Sequence, residues 1–270
     1  MTRDFGRSEV ASFEVDGVGP STTVLRALES ELPVETSYGG GFVDGIAGLD
    51  SRTGNRPTDW FFFVNGIESE VGGADFLLSP GERVWWDYRE WGEVMYAGSV
   101  VGSYPAPLTG GYRGTEWPVR LVCESDRTTC GLVRSGLEDD GVVLGGSSGG
   151  RAAIEVVVGE FGRLGEEHRV LGDPPSRSGV FARFRDPEGT LELLDRSGRI
   201  VVTERGGAGL VASTGGTGEA PTWFVTGTDR TGVRNAARLL EPDRLAHSYA
   251  VAAVDGEAVR LPTERVGGRG

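Results

Sequence analysis

The sequence predicts an α+β protein: an N-terminal β-grasp-like unit, one helix on a mostly antiparallel sheet, followed by an α/β unit with a mixed sheet. Three observations carry that reading. Residues 60–91 (WFFFVNGIESEVGGADFLLSPGERVWWDYREW) hold four of the six tryptophans in two aromatic, β-branched runs set off by turn dipeptides. Ahead of them, one stretch carries apolar residues at helical spacing. Beyond Trp117, short apolar runs alternate with helix-period stretches, the pattern of strands joined by helices.

Taken in order, residues 8–15 (SEVASFEV) alternate and predict a first strand ending at Asp16-Gly17. Gly19-Pro20-Ser21 opens a helix with Val24, Leu25, Leu28 and Leu32 on one face, and Pro33 stops it. Residues 36–43 (TSYGGGFV) read as glycine-rich extended chain, and 50–57 as a polar loop. The run 60–64 is a strand buried on both faces, and Asn65-Gly66 supplies the positive φ angles of a tight hairpin turn. Pro80-Gly81 then turns the chain into a second aromatic strand at 83–88. Strand alternation sends Trp60, Phe62 and Val64 to one face and Phe61 and Phe63 to the other, and separates Trp85 from Trp86. One face takes the helix. The other needs a cover, for which the second unit ranks first and a ligand or partner second.

Residues 98–116 form a Gly/Pro/Tyr-rich linker, with Tyr96, Tyr104 and Tyr112 expected to pack nearby. A strand at 118–122 and a helix at 128–137 follow. Cys123 then ends the strand and Cys130 lies in the first helical turn, which permits a disulfide without requiring one. Residues 145–150 (GGSSGG) are a low-complexity loop. A buried strand at 153–158 leads to a short helix through Phe161 and Leu164, then to strands at 180–184, 191–194 and 200–203 with turn tetrads at 186–189 and 195–198. A strand at 222–226, a helix through Val233, Ala236, Ala237 and Leu240, and a strand at 249–254 make a βαβ unit. The units are therefore 1–97, a linker at 98–116, 117–262, and a frayed tail at 263–270.

Composition narrows the partners. A net charge of −13 disfavours nucleic acid and anionic membrane surfaces. All 27 basic residues are arginine, which removes Schiff-base chemistry and any lysine nucleophile. No apolar run approaches a membrane span. The first ten residues lack a signal-peptide core, so the chain is either cytosolic or exported by a leader removed from it. A Cys123–Cys130 disulfide suits export, and two free thiols suit the cytosol; both readings stay open.

The order Tyr38-Gly39-Gly40-Gly41-Phe42-Val43, Gly45-Ile46, Gly48-Leu49, then 60–66 (WFFFVNG) and Leu78 through Pro80-Gly81 to Val84-Trp85-Trp86-Asp87-Tyr88 carries a resemblance. It resembles uncharacterised bacterial domains related to the C-terminal β domain of transcobalamin and intrinsic factor, over residues 8–91. The resemblance implies that the 38–42 loop faces one side of a corrin ring. In the cobalamin carriers a separate helical barrel covers the other side, and no such barrel is read in this sequence.

Other chemistry reads as structural. Gly227-Thr228-Asp229 lacks the glycine spacing of a dinucleotide site and the lysine of a phosphate loop, so it reads as a helix cap. His168, beside Glu166 and Glu167, and His247 fall in no nucleophile or zinc motif and read as surface histidines. Glu138-Asp139-Asp140-Gly141 lacks the alternating ligands of a calcium loop. The expected function is non-enzymatic, extracytoplasmic or cell-surface binding of a small planar ligand, with cobalamin as the specific guess and no certain cofactor. The ligand-binding candidates are Tyr38, Gly39, Gly40, Gly41, Phe42, Trp60, Phe62, Trp85, Trp86 and Tyr88. The alternative is a cell-envelope protein–protein module with no small-molecule ligand. A sugar hydrolase with Trp85 and Trp86 as its platform ranks third.

Overall fold

The protein is described by a computed structural model covering residues 1–145, 152–185 and 189–264. Most of the predicted loop at 145–150, of the turn at 186–189 and of the tail at 263–270 lies outside the described residues. The chain is α+β, with four sheets among the described residues.

The N-terminal unit contains β1 (Thr2–Arg3), β2 (Ser8–Glu9), α1 (Val24–Glu29), β3 (Val34–Ser37), β4 (Phe42–Ile46), β5 (Leu49–Asp50), β6 (Thr58–Val64), β7 (Ile67–Glu68) and β8 (Val84–Glu90). Its larger sheet has the order β2-β1-β8-β6-β7, and β3-β4-β5 form a small separate sheet. Asn65 and Gly66 take φ values of 50° and 81°, so the two-residue turn joins β6 to β7 as their chemistry dictates. Six residues are too few to hold a helix by propensity alone. Helix α1 persists because the Thr23 side chain caps the Arg26 amide and Val24, Leu25, Ala27 and Leu28 are buried.

Two expectations need correction here. The predicted strand 8–15 shrinks to Ser8–Glu9, which pair with β1; Phe13 further on is exposed. The edge available to it is only two residues long, because β1 itself is that short and pairs in parallel with β8. The stretch 36–43 is not one extended segment. It breaks at a 3₁₀ turn, Tyr38–Gly40, between β3 and β4.

Between the units, Val100, Val101, Tyr104 and Tyr112 are buried around α2 (Ala106–Gly110), whereas Tyr96 stays exposed. The second unit follows with β9 (Val119–Glu124), α3 (Arg127–Asp139), β10 (Ile154–Glu160), α4 (Pro175–Ser178), β11 (Ala182–Phe184), β12 (Leu191–Leu194), β13 (Ile200–Glu204), β14 (Gly209–Thr214), β15 (Thr222–Gly227), α5 (Arg230–Ala237), α6 (Pro242–Leu245), β16 (Ala250–Val254) and β17 (Glu257–Leu261). Its mixed sheet has the order β17-β16-β14-β15-β10-β9, with β9, β10 and β15 parallel. Strands β15 and β16 run the same way but do not touch, because β14 lies between them, antiparallel to both. The predicted βαβ crossover therefore spans one inserted strand. That strand is fully buried and so lacks the alternation that marks a strand in sequence.

Helices α3 and α5 cover one face of this sheet through Val133, Leu137, Val233 and Ala236. The opposite face packs on β11–β13 and on the N-terminal unit, in one continuous core that includes Phe5, Phe63, Trp85, Phe181, Phe224 and Tyr249. Cys123 and Cys130 are joined as a disulfide with Cα atoms 6.0 Å apart, tying the end of β9 to the first turn of α3.

Candidate functional site

The two aromatic strands alternate strictly. In the β6–β8 register Trp60 faces Tyr88 and Phe62 faces Trp86, while Phe61 pairs with Asp87 and Phe63 with Trp85. Trp60, Phe62, Trp86 and Tyr88 join Val24, Leu25 and Leu28 in the core beneath α1. Phe62 lies 4.7 Å from Trp86 and 6.1 Å from Phe76, centroid to centroid. The polar edges are also satisfied inside: Trp60 Nε1 donates to the Leu49 carbonyl at 2.8 Å, and the Tyr88 hydroxyl donates to the Asp50 carbonyl.

Trp85 turns the other way. It packs on Phe63 and Tyr249 at 5.4 and 5.5 Å, and its Nε1 donates to Thr2 Oγ1 at 2.7 Å. The five strand aromatics proposed as ligand contacts are thus all buried, Trp85 and Trp86 each 4% exposed, and neither tryptophan offers a sugar platform.

The 38–42 loop is different. Tyr38 is 92% exposed and Phe42 41% exposed, against buried Val43 next door. Tyr38, Gly39 and Gly40 hold φ values of 52°, 69° and 92°, so the backbone turns left-handed three times in succession. The loop lies over the start of α1 and a glycine pair. A Cβ on Gly40 would meet Leu25 at 3.5 Å, and one on Gly72 would meet the Gly41 carbonyl at 3.0 Å. Gly73 in turn approaches the Trp86 ring, 3.5 Å from the position of its Cβ. The Trp86 ring thus lies against Gly73 next to this loop, and Tyr38 and Phe42 are the loop's rings that solvent reaches.

Residues 21–90 match the family model of a domain of unknown function, DUF4430. The matched region holds α1, the 38–42 loop and the aromatic strands, and stops at the end of β8. Neither the curated proteins nor the solved structures searched contain a match to this chain.

Beneath the matched sheet lies a charge cluster that sequence reasoning missed. Odd positions of β8 point at the second unit, placing Asp87 and Arg89, both fully buried, beside Trp85. Asp87 accepts from Thr2 Oγ1, the Gly6 amide and the Tyr249 hydroxyl at 2.7, 3.1 and 3.0 Å. Burial pushes its carboxyl above the ordinary range, and those hydrogen bonds only partly offset the shift. Arg89 donates to the Val94 and Met95 carbonyls at 2.6 and 2.9 Å, and its guanidinium carbon lies 3.8 Å from the Phe61 ring centroid. Its contact with Glu68 at 3.8 Å is ionic and too long for a hydrogen bond. Glu68 instead accepts the Gly98 amide at 2.8 Å, and burial raises its carboxyl too. The period-2 pattern is the signal that could have found this cluster, since it puts two charges on the face that also carries Phe63 and Trp85.

The remaining candidates are accounted for locally. Asp229 caps the Gly232 amide at 2.8 Å and the Gly207 amide at 2.9 Å. Asp140 of the acidic turn accepts the Tyr104 hydroxyl at 2.6 Å. No cluster of metal ligands occurs among the described residues. His247 is exposed, but His168 is buried, in contrast to the surface position expected. Its Nε2 lies 3.2 Å from Glu155 Oε2, and its ring meets Phe224 edge-on at 6.4 Å. The segment 166–172 folds back over the sheet, which its charged neighbours Glu166 and Glu167 do not reveal. No helix among the described residues is long and apolar enough to cross a membrane.

Proposed function

We propose that this chain is a non-enzymatic, extracytoplasmic binding protein that holds a small planar ligand against its 38–42 loop. The observation that carries the reading is Tyr38: a nearly fully exposed ring on a left-handed glycine turn packed against Leu25 at the start of α1. An unpaired tyrosine on a supported loop stacks on a flat ligand at low conformational cost. The specific candidate is a corrinoid. It rests on the resemblance to the cobalamin-carrier β domain, in which the corresponding loop meets one face of the corrin ring. The disulfide between Cys123 and Cys130 agrees with an oxidising compartment. The test is to incubate the protein with cobalamin, desalt, and record the spectrum. Retained corrin absorbance that is lost in Tyr38→Ala supports the reading; a colourless wild type removes the corrinoid.

A second reading is a cell-envelope protein–protein module. It is favoured by the openness of the loop, with Tyr38 92% and Phe42 41% exposed. Exposed tyrosines are frequent anchors at protein interfaces. Recovery of a defined envelope protein that depends on Tyr38, with no thermal shift from cobalamin, would select this reading.

A further inference from the structure

We propose that the cleft between the N-terminal unit and the β12–β13 hairpin is a second binding site, for a small polyvalent oxyanion carrying carboxylate or phosphate groups. The cleft encloses about 500 Å³ and is lined by Arg56 from one side and by Asp195, Arg196, Arg199 and Ile200 from the other, with Glu264 at its edge. That volume is in the range of small-molecule sites, about 300–1,000 Å³, which concentrate at such inter-unit clefts.

The arginines divide into two kinds. Arg196 is structural: it spans Glu264 at 2.8 Å and Asp4 at 3.4 Å. It anchors a turn in which Asp4 and Phe5 hold φ values of 58° and 61°, a conformation that costs non-glycine residues energy. Glu264 is satisfied from both sides, since Arg7 also reaches it at 3.0 Å. Arg56 and Arg199 are available. The side chain of Arg56 is 75% exposed, and its contact with Glu90 at 3.7 Å is too long for a hydrogen bond. Arg199 is 78% exposed and pairs with Asp195 at 2.9 Å. Asp195 does not depend on that pair, because it also accepts the Ser197 and Arg199 backbone amides at 2.8 and 3.0 Å. Arg199 donates to the largely buried Asp195 through Nε and a terminal nitrogen, but the Arg199 head itself stays in solvent and can turn toward the cleft. An incoming oxyanion therefore gains two guanidinium forks without leaving a buried carboxylate unpaired. On a chain of net charge −13, two exposed guanidiniums lining one cavity select a compact anion over a long acidic polymer, which the rest of the surface repels.

The experiment is isothermal titration of the folded full chain at low ionic strength, with citrate and with inorganic phosphate as separate probes. Variants Arg56→Gln and Arg199→Gln, both at exposed positions, and their double are compared with Arg134→Gln on α3. The expected result is saturable one-site binding of at least one probe with Kd near or below about 1 mM, since two charge-assisted contacts supply that affinity. Each single variant should weaken it by about tenfold, the loss of one such contact. The double variant should abolish it, while Arg134→Gln and Tyr38→Ala leave it unchanged. Which probe saturates distinguishes a carboxylate from a phosphate ligand. Absence of saturation with both, wild-type affinity in the double variant, or an equal loss in Arg134→Gln would each overturn the proposal.

Discussion

Tyr38 shows how little a side chain can matter to folding while dominating a surface. With its ring in solvent, Tyr38→Ala should change stability by less than about 0.5 kcal/mol. Chemical denaturation checks the stability, and the ligand spectrum checks the loss of binding. Asp87 is the opposite case. Its carboxyl is raised by burial, so at low pH folded and unfolded chains both carry the proton and the full stability is present. As pH rises above the ordinary value of 3.8, the unfolded chain releases that proton and the folded chain keeps it, so the Asp87 contribution to stability falls until the folded-state pKa is passed. In Asp87→Asn the amide oxygen still accepts from Thr2 and Gly6, and the amide nitrogen can donate to the Tyr249 hydroxyl. The variant should therefore lose less stability than wild type between acid and neutral pH. Denaturant midpoints across that range test it, and parallel curves for the two proteins would remove Asp87 as the cause.

At the scale of elements, the close seat of α5 on the sheet depends on absent side chains. A Cβ on Gly232 would lie 2.0 Å from the Ala208 carbonyl oxygen, and one on Gly209 would lie 2.2 Å from the Gly232 carbonyl oxygen. Backbone cannot move aside as a flexible side chain does, so Gly232→Ala should cost about 3 kcal/mol or more despite alanine's better helix propensity. A rise in stability, read by thermal unfolding, would show that α5 is free to shift. The β9–α3 junction carries the disulfide, with seven residues of sequence separation between the cysteines. On chain-entropy grounds a loop this short stabilises by only about 2 kcal/mol. Replacing both cysteines with serine should lower the unfolding free energy by that much and leave a cooperative transition, because Val133 and Leu137 still hold α3 to the sheet.

Across the whole molecule, the aromatic sheet has two buried faces made by different parts of the chain. Helix α1 covers Trp60, Phe62 and Trp86, and the second unit covers Phe5, Phe63 and Trp85. Burial of each of those three covered rings contributes about 1.5–3 kcal/mol, together comparable to the whole stability of a fragment of this size. A fragment ending at residue 97, which includes the whole DUF4430 match, should therefore expose them and lack a sharp unfolding transition. Near-UV circular dichroism and urea titration of the fragment decide this. A cooperative transition with native-like aromatic signal would mean the second unit is dispensable to the first.

Residues 60–64 and 83–88, the Asn65-Gly66 turn and the cap at Asp229 were legible because each depends on neighbours in sequence, whereas the first helix, expected to open at Gly19-Pro20-Ser21, starts at Val24 behind Thr23. Periodicity, turn chemistry and capping are set within a few residues, so fold class, both aromatic strands and most elements of the second unit follow from the sequence alone. The pairing of β1 with β8, the insertion of β14 between β15 and β16 and the burial of His168 were not legible. The β1–β8 pairing and the burial of His168 against Phe224 join segments distant in the chain, and β14, close in sequence to β15, carries no alternation because both of its faces are covered. The candidate site divides the same way. The sequence determined that Tyr38, Phe42 and the strand aromatics would be prominent, but only the tertiary structure decided that Tyr38 and Phe42 stay in solvent while Trp60, Phe62, Trp85, Trp86 and Tyr88 are enclosed. Burial is a property of what packs on a face, and that cover comes from α1 on one side and from strands more than a hundred residues away on the other.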